Sequence, residues 1–368
     1  MIPLTMKTVL PLFLLFLSFS IGVAQTTDPR CVQTLRTARA TYEQGRLHEM
    51  QSLLDDCLNN FSKNERIEAY KLLVLTYIYL EEPQKADEAM LDLLRTDNFF
   101  KPSDVDPAEF RNLYAKFRTK PVLSIGVRGG MLSTRVHVQE HYTVFANSQG
   151  KGTYKSNARF VGGLAFEKSI LKDKIVLAPE FLLSGHSFTY ANKEAFSDDN
   201  TADNVSDATG LEAIIQQSTF QFNLIGNYMF KKTLLRGLVQ PYAGAGLATS
   251  YMGANSSKFL GELQLEPRGD DVSGAELDNT DNYKSLNFAG VLLVGGKIKI
   301  ATVYLTADLR YYYGLNNIVN TDNRYKMEGD NIEILTRYGY VNNDFKINQA
   351  SISIGLIYPY FNPKKLIK

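Results

Sequence analysis

The chain has 368 residues, with 40 Lys and Arg against 39 Asp and Glu and a formal net charge of +1. That balance gives no reason to propose a nucleic-acid partner, which needs a concentrated basic face, and no apolar run of about 18 residues follows the N-terminus to make a spanning helix. The aromatic set of 21 Tyr and 21 Phe without Trp suits strands and side chains that sit between lipid and water.

The first stretch reads as a secretory signal. Lys7 supplies the positive start, residues 9–19 the apolar core, and Gly22-Val23-Ala24 the small residues before a cleavage site near Ala24, so residues 1–24 are expected to be removed. Cys31, in Thr27-Asp28-Pro29-Arg30-Cys31, lacks the small and apolar residues that a lipidated cysteine needs before it.

Residues 25–120 carry apolar side chains at helical spacing. Leu35, Ala38 and Tyr42 precede a break at Gly45, and Leu47, Met50, Leu53 and Leu54 follow it. Ala69, Leu72, Leu73, Leu75, Tyr77 and Leu80 lead into Glu81-Glu82-Pro83, and Ala86, Ala89, Met90, Leu93 and Leu94 continue beyond it. From Ala69 to Pro102 this resembles a tetratricopeptide (TPR) repeat, without the usual aromatic and Gly positions in its first helix. The resemblance implies a small helical domain that binds a peptide or partner protein; the alternative is a spacer. A last helix is predicted from Asp106-Pro107, with Phe110, Leu113, Tyr114 and Phe117 on one face. Cys31 and Cys57 lie at similar distances from Gly45. An antiparallel hairpin brings them together as a structural disulfide in an oxidising compartment.

After Pro121 the apolar period becomes two. Eight strand-like segments begin near Val122, Asn157, Lys174, Ser218, Leu238, Ser285, Ala301 and Lys346. In the fourth, Phe220, Phe222, Leu224, Tyr228 and Phe230 alternate with Gln221, Asn223 and Asn227; in the last, Ile352, Ile354, Leu356 and Tyr358 alternate with Ser351, Ser353 and Gly355. Large apolar residues on one face and small polar ones on the other invert the soluble barrel and place lipid outside. Connections alternate long and short. The long ones are acidic, with Asp198, Asp199, Asp203, Asp207, Glu262, Glu266, Asp270, Asp271, Asp278 and Asp330; the short ones are basic, with Lys168, Lys172, Lys174, Lys231, Lys232, Arg236, Lys297 and Lys299. An even number of strands with this alternation is the pattern of an outer-membrane barrel, long loops outward and both ends of the chain in the periplasm. The expected fold is therefore α+β and multidomain: a TPR-like helical domain over 25–120 and an eight-stranded antiparallel transmembrane β-barrel over 121–368.

This second part resembles the PorT-like outer-membrane β-barrels of the Bacteroidota. The likeness rests on residues 122–130, Val-Leu-Ser-Ile-Gly-Val-Arg-Gly-Gly, on Pro241-Tyr242-Ala243-Gly244-Ala245-Gly246, and on the aromatic final strand. The resemblance implies a non-enzymatic barrel in the outer-membrane lipid, serving a secretion, motility or envelope-assembly complex. Asn362 to Lys368 depart from it by continuing past the terminal aromatics.

Alternation points Arg128, Glu180, Asp308 and Arg310 into the barrel, where they are expected to form a neutral charge network filling the lumen; the alternative is a narrow ion path. No catalytic constellation, cofactor or metal site is assigned. His186 beside Ser184 and Ser187, and His137 and His141 in the first long loop, have no established carboxylate partner. The run from Asp198 to Asn204 has ligands suited to Ca²⁺ but lacks the Gly and terminal Glu of an EF-hand loop, and reads as a solvated loop. The expected function is a membrane anchor whose helical domain engages a protein partner; the alternative is a surface protein that binds through its long acidic loops.

Overall fold

The computed structural model describes residues 28–143, 152–171, 174–192, 211–260 and 273–366. The signal segment, the run from Asp198 to Asn204, and Lys172, Asp207, Glu262, Glu266, Asp270 and Asp271 lie outside them. Two compact units emerge, residues 121–360 and the helical residues before them together with those after 360.

The helical unit begins with α1 (Pro29–Glu43). Asp28 caps it by accepting the Arg30 N–H at 2.9 Å, and Pro29 occupies the first turn, where a missing N–H costs nothing. Gly45, at φ 76°, turns the chain into α2 (Met50–Asp55). Cys31 and Cys57 are joined as a disulfide, their Cα atoms 5.4 Å apart. Then α3 (Lys63–Tyr79) opens on a reciprocal capping box between Ser62 and Glu65. Glu81 in the left-handed region reverses the chain into α4 (Pro83–Thr96). Buried Ala69, Ala86 and Ala89 let the two helices approach, and Leu73, Met90, Leu93 and Leu94 fill the core around them.

The final helix, α5 (Ala108–Tyr114), is shorter than its apolar spacing predicts. Phe117 lies beyond it, buried in the same core, and its backbone bridges to Lys365. Residues 361–366, assigned by sequence to the barrel domain, are thus part of the helical unit. The Arg118 N–H donates to the Lys364 carbonyl and the Lys116 carbonyl accepts from the Leu366 N–H, so each segment supplies a backbone partner to the other.

The second unit has strands β1 (Leu123–Glu140), β2 (Thr153–Ser156), β3 (Ala158–Ile170), β4 (Ile175–Asn192), β5 (Leu211–Met229), β6 (Val239–Leu260), β7 (Ser273–Asp278), β8 (Leu286–Ile300), β9 (Val303–Gly314) and β10 (Asp344–Tyr360). The eight long strands pair antiparallel in the circuit β1-β3-β4-β5-β6-β8-β9-β10 and back to β1. The sheet therefore closes, and every long strand has two neighbours. The short strands β2 and β7 extend the wall at the long-connection end, pairing with β4 and β6. There β5 also starts at Leu211, earlier than its apolar alternation suggests. Along 211–218 the outward positions are Glu212, Ile214, Gln216 and Ser218, three of the four polar, so the barrel continues past its apolar belt.

Below that level the outer wall is apolar: Phe160 is 71 % exposed, Leu247 and Ile352 63 % each. A continuous belt of this kind far exceeds the patches that a water-soluble monomer shows. The short turns after β3, β5 and β8 gather at one end with the barrel's first and last paired residues, Leu123 and Tyr360. At the other end, the connection after β9 folds over the lumen and carries α6 (Asn331–Thr336). Asn282 donates to Asn331 Oδ1 at 2.6 Å and Asn323 to the Asp281 carbonyl at 2.8 Å, stapling this connection to the one before β8.

Candidate functional site

Among the described residues, the barrel lumen gathers ionisable side chains away from solvent. Arg128 on β1 lies between Gly163 of β3 and Gly355 of β10, and Asp308 on β9 between Gly295 of β8 and Ser353 of β10. Small neighbours leave room for long side chains to cross the interior. A Cβ on Gly295 would sit 2.7 Å from the Asp308 Cβ and from the Tyr242 ring, so this glycine is required by close approach.

Arg128, Glu180, Asp308 and Arg310 are exposed by 7, 1, 4 and 4 % and meet as a closed four-membered network. Arg310 grips Glu180 with both terminal nitrogens, at 2.5 and 2.8 Å, and its Nε donates to Asp308 Oδ1 at 2.6 Å. Arg128 also bonds Asp308, while its Nε lies 3.2 Å from Glu180 Oε1. Each guanidinium thus touches both carboxylates and the set is electrically neutral. Neutral donors take up remaining acceptor capacity. Tyr242 donates to Asp308 Oδ2 at 2.8 Å, and Asn223 to Glu180 Oε2 at 3.0 Å, with Asn223 Oδ1 held in turn by Gln221. Charge pairing of this kind, with the Arg128 Nε as a donor left without a hydrogen bond, is what makes burial of four charges tolerable.

Nearer the short turns a second pair crosses the lumen. Lys297 Nζ donates to Glu167 Oε2 at 2.5 Å and lies 4.5 Å from the centre of the Tyr304 ring. The sequence pattern places Lys297 among the basic residues of a short turn. β8 runs on to Ile300 and its turn is only Ala301-Thr302, with Ala301 left-handed at φ 49°, so Lys297 falls on the inward parity of the strand with Leu293 and Gly295. Glu167 has no part in the sequence pattern's site, although it shares its parity with Ala165 and Gly163; Asn223 and Tyr242 appear there only for alternation and for the glycine-rich motif.

Towards the long connections, His186 is buried on the inner face. Gln349 Nε2 lies 2.8 Å from its Nδ1, and Thr219 Oγ1 lies 2.9 Å from its Nε2 while donating to the Ser184 carbonyl. The threonine proton is therefore committed elsewhere, and the ring is a neutral tautomer with its hydrogen on Nε2. Neither ring nitrogen reaches Ser184 or Ser187. His137 stands exposed on β1, not in a loop, and His141 follows its end. Beyond His186 the lumen is packed with aromatics: Phe188, Phe259, Tyr338, Tyr340 and Phe345 form one buried cluster, with the half-buried Tyr154 and Tyr190 against it. Phe259 and Tyr338 stack with centroids 4.7 Å apart. Among the described residues, no group of three or more His, Cys, Asp or Glu side chains is arranged to hold a metal ion.

A family model for the outer membrane protein beta-barrel domain matches residues 118–320. Comparison with curated proteins gave no match. Among solved structures, Neisserial surface protein A (NspA) is 14 % identical over 65 % of this chain and 97 % of its own, with a TM-score of 0.30. The outer membrane protein OprG from Pseudomonas aeruginosa is 14 % identical over 65 % of this chain and 96 % of its own, with a TM-score of 0.29. Ail, the attachment invasion locus protein of Yersinia pestis, is 9 % identical over 64 % and 99 %, with a TM-score of 0.24.

Proposed function

Because this chain belongs to the family of outer membrane protein β-barrel domains, its barrel is an outer-membrane one, and from that premise we propose that it is a closed, non-enzymatic anchor for a helical protein-binding module. The observation that carries this reading is the filling of the lumen, by the network of Arg128, Glu180, Asp308 and Arg310 and by the aromatic cluster beyond it. An eight-stranded barrel has an interior that side chains alone can fill, and one filled in this way offers neither a passage nor a substrate cavity.

In this reading the short turns face the periplasm and the long connections the exterior, as in other outer-membrane barrels. The helical residues, joined in sequence to the short-turn end at Pro121 and Tyr360, are then periplasmic. The hairpin of α3 and α4, closed on Ala69, Ala86 and Ala89, supports a TPR-like module whose outer faces meet a partner. The PorT-like resemblance makes that partner a component of a secretion, motility or envelope-assembly complex.

Photoreactive residues placed on exposed helical positions such as Arg36 and Glu88, and on the long connections, test the proposal in whole cells. A discrete protein captured from the helical positions alone is the expected result. Capture through the long connections alone refutes it and moves the function to the cell surface.

A further inference from the structure

Residues 361–366 follow the last strand of the barrel but complete the helical unit. Phe361 packs edge-to-face on Phe99, their ring centres 5.0 Å apart. The Asn362 carbonyl accepts from the Arg118 guanidinium at 2.9 and 2.5 Å. The Arg118 N–H donates to the Lys364 carbonyl at 2.9 Å and the Leu366 N–H to the Lys116 carbonyl at 2.7 Å, around the antiparallel bridge of Phe117 with Lys365. Lys365 also forms an ion pair with Asp87 of α4. Main-chain bonds, a ring contact and a charge pair together hold a segment that no local sequence supplies.

We infer that this segment is a closing strap, and that the helical unit reaches its finished form only after the barrel has placed its last strand. The helical residues are made and exported first. The strap arrives a whole barrel later, with 244 positions between Arg118 and Asn362 and 278 between Asp87 and Lys365. While the barrel is open, closing the strap means closing a loop of that length. Once Leu123 is paired with Tyr360, only the few residues outside that pair remain free. Chain-closure scaling then favours the strap on the order of a hundredfold over its state in the open chain. An exported chain with an unfinished barrel would thus present an unfinished helical surface, and binding would be confined to assembled molecules.

Refolding of the full chain from urea into phospholipid vesicles tests this, with the barrel followed by its heat-modifiable gel mobility and the helical unit by resistance to chymotrypsin. In the native sequence, resistance of the helical unit is expected to appear no earlier than the shifted barrel band. Replacing residues 362–366 by glycine and serine should keep the band and speed cleavage of the helical unit about tenfold, since cleavage tracks local opening. Asp87→Lys should speed cleavage in the same direction, and adding Lys365→Asp should restore resistance. Resistance that precedes the barrel band, or unchanged cleavage in the replaced chain, overturns the inference. If the replaced chain forms no barrel, the charge-reversal pair decides: resistance unaltered by Asp87→Lys, or not restored by the double change, also overturns it.

Discussion

Four charges in the lumen are held by one another, so the value of any one of them depends on the other three. Arg310 is the most connected, with three donors on two carboxylates. Arg310→Leu leaves Glu180 and Asp308 buried with Arg128 as their one cation, and is expected to destabilise the barrel by about 3–5 kcal/mol. Adding Glu180→Leu removes the stranded anion and leaves Arg128 facing Asp308. The double variant should therefore lose less than the sum of the single losses, by on the order of 2 kcal/mol; urea unfolding of the vesicle-inserted barrel measures the cycle. Strict additivity would mean that the four groups do not act as one network.

Asp106 makes the corresponding argument in the helical unit. Burial pushes its carboxyl up, but the Lys71 ammonium and the Ser103 N–H, the latter at 2.8 Å, outweigh that and hold it below the ordinary carboxylate range. A depressed folded value means stabilisation that is complete above the unfolded carboxyl range and is lost as pH falls through it towards the folded value. The contribution is modest, since Lys71 is partly solvated and screening discounts its attraction. Unfolding of the helical circular-dichroism signal should show this loss on acidification in the native protein and a flatter profile in Asp106→Asn. Equal profiles would place the acid sensitivity elsewhere.

At the scale of elements, each barrel strand has to satisfy two solvents, and the alternation of its side chains is the record of that. Leu292 faces outward, 62 % exposed, while its neighbour Leu293 is buried in the lumen. Leu292→Arg should cost about 2–4 kcal/mol in folding into bilayers if that position meets the hydrocarbon. A cost near zero would move the membrane belt away from it. Helices α1 and α2 rely on a covalent tie in addition to their core. Reduction of the Cys31–Cys57 disulfide, or Cys31→Ser with Cys57→Ser, should lower the stability of the helical unit by about 2–4 kcal/mol and leave barrel gel mobility unchanged. A shifted barrel mobility would show that the two units do not fold as separate cores.

For the molecule as a whole, the consequence of a filled interior is electrical silence. Planar-bilayer recordings of the native protein are expected to show no conductance above background. In the proposed reading the lumen is closed at more than one level, by the Glu167–Lys297 pair, the four-charge network and the aromatic cluster with Tyr338 and Tyr340. Loosening the network alone with Arg310→Leu should therefore still give no channel. A steady conductance in either protein would restore the ion-path reading of the same four residues.

Local residue pattern alone determined the change of period at Pro121, the outward apolar alternation, the order of long and short connections and the inward parity of Arg128, Glu180, Asp308 and Arg310, but it set the turn after β8 three residues early, at Lys297 to Lys299. All of these depend on residues one to four positions apart, and helices and strands write themselves at that range. Parity says which face a side chain occupies but not whom it meets. That Arg310 grips Glu180, that Lys297 reaches Glu167 across the lumen, and that His186 is held by Thr219 and Gln349 follow from strand register around a closed circuit, with partners more than a hundred positions apart in most cases. The segment after Tyr360 had no legible role for the same reason: its complement is the edge at Lys116 to Arg118, and only the pairing of β1 with β10 brings the two ends of the barrel together. Tertiary closure decided every contact whose partners the chain itself keeps apart.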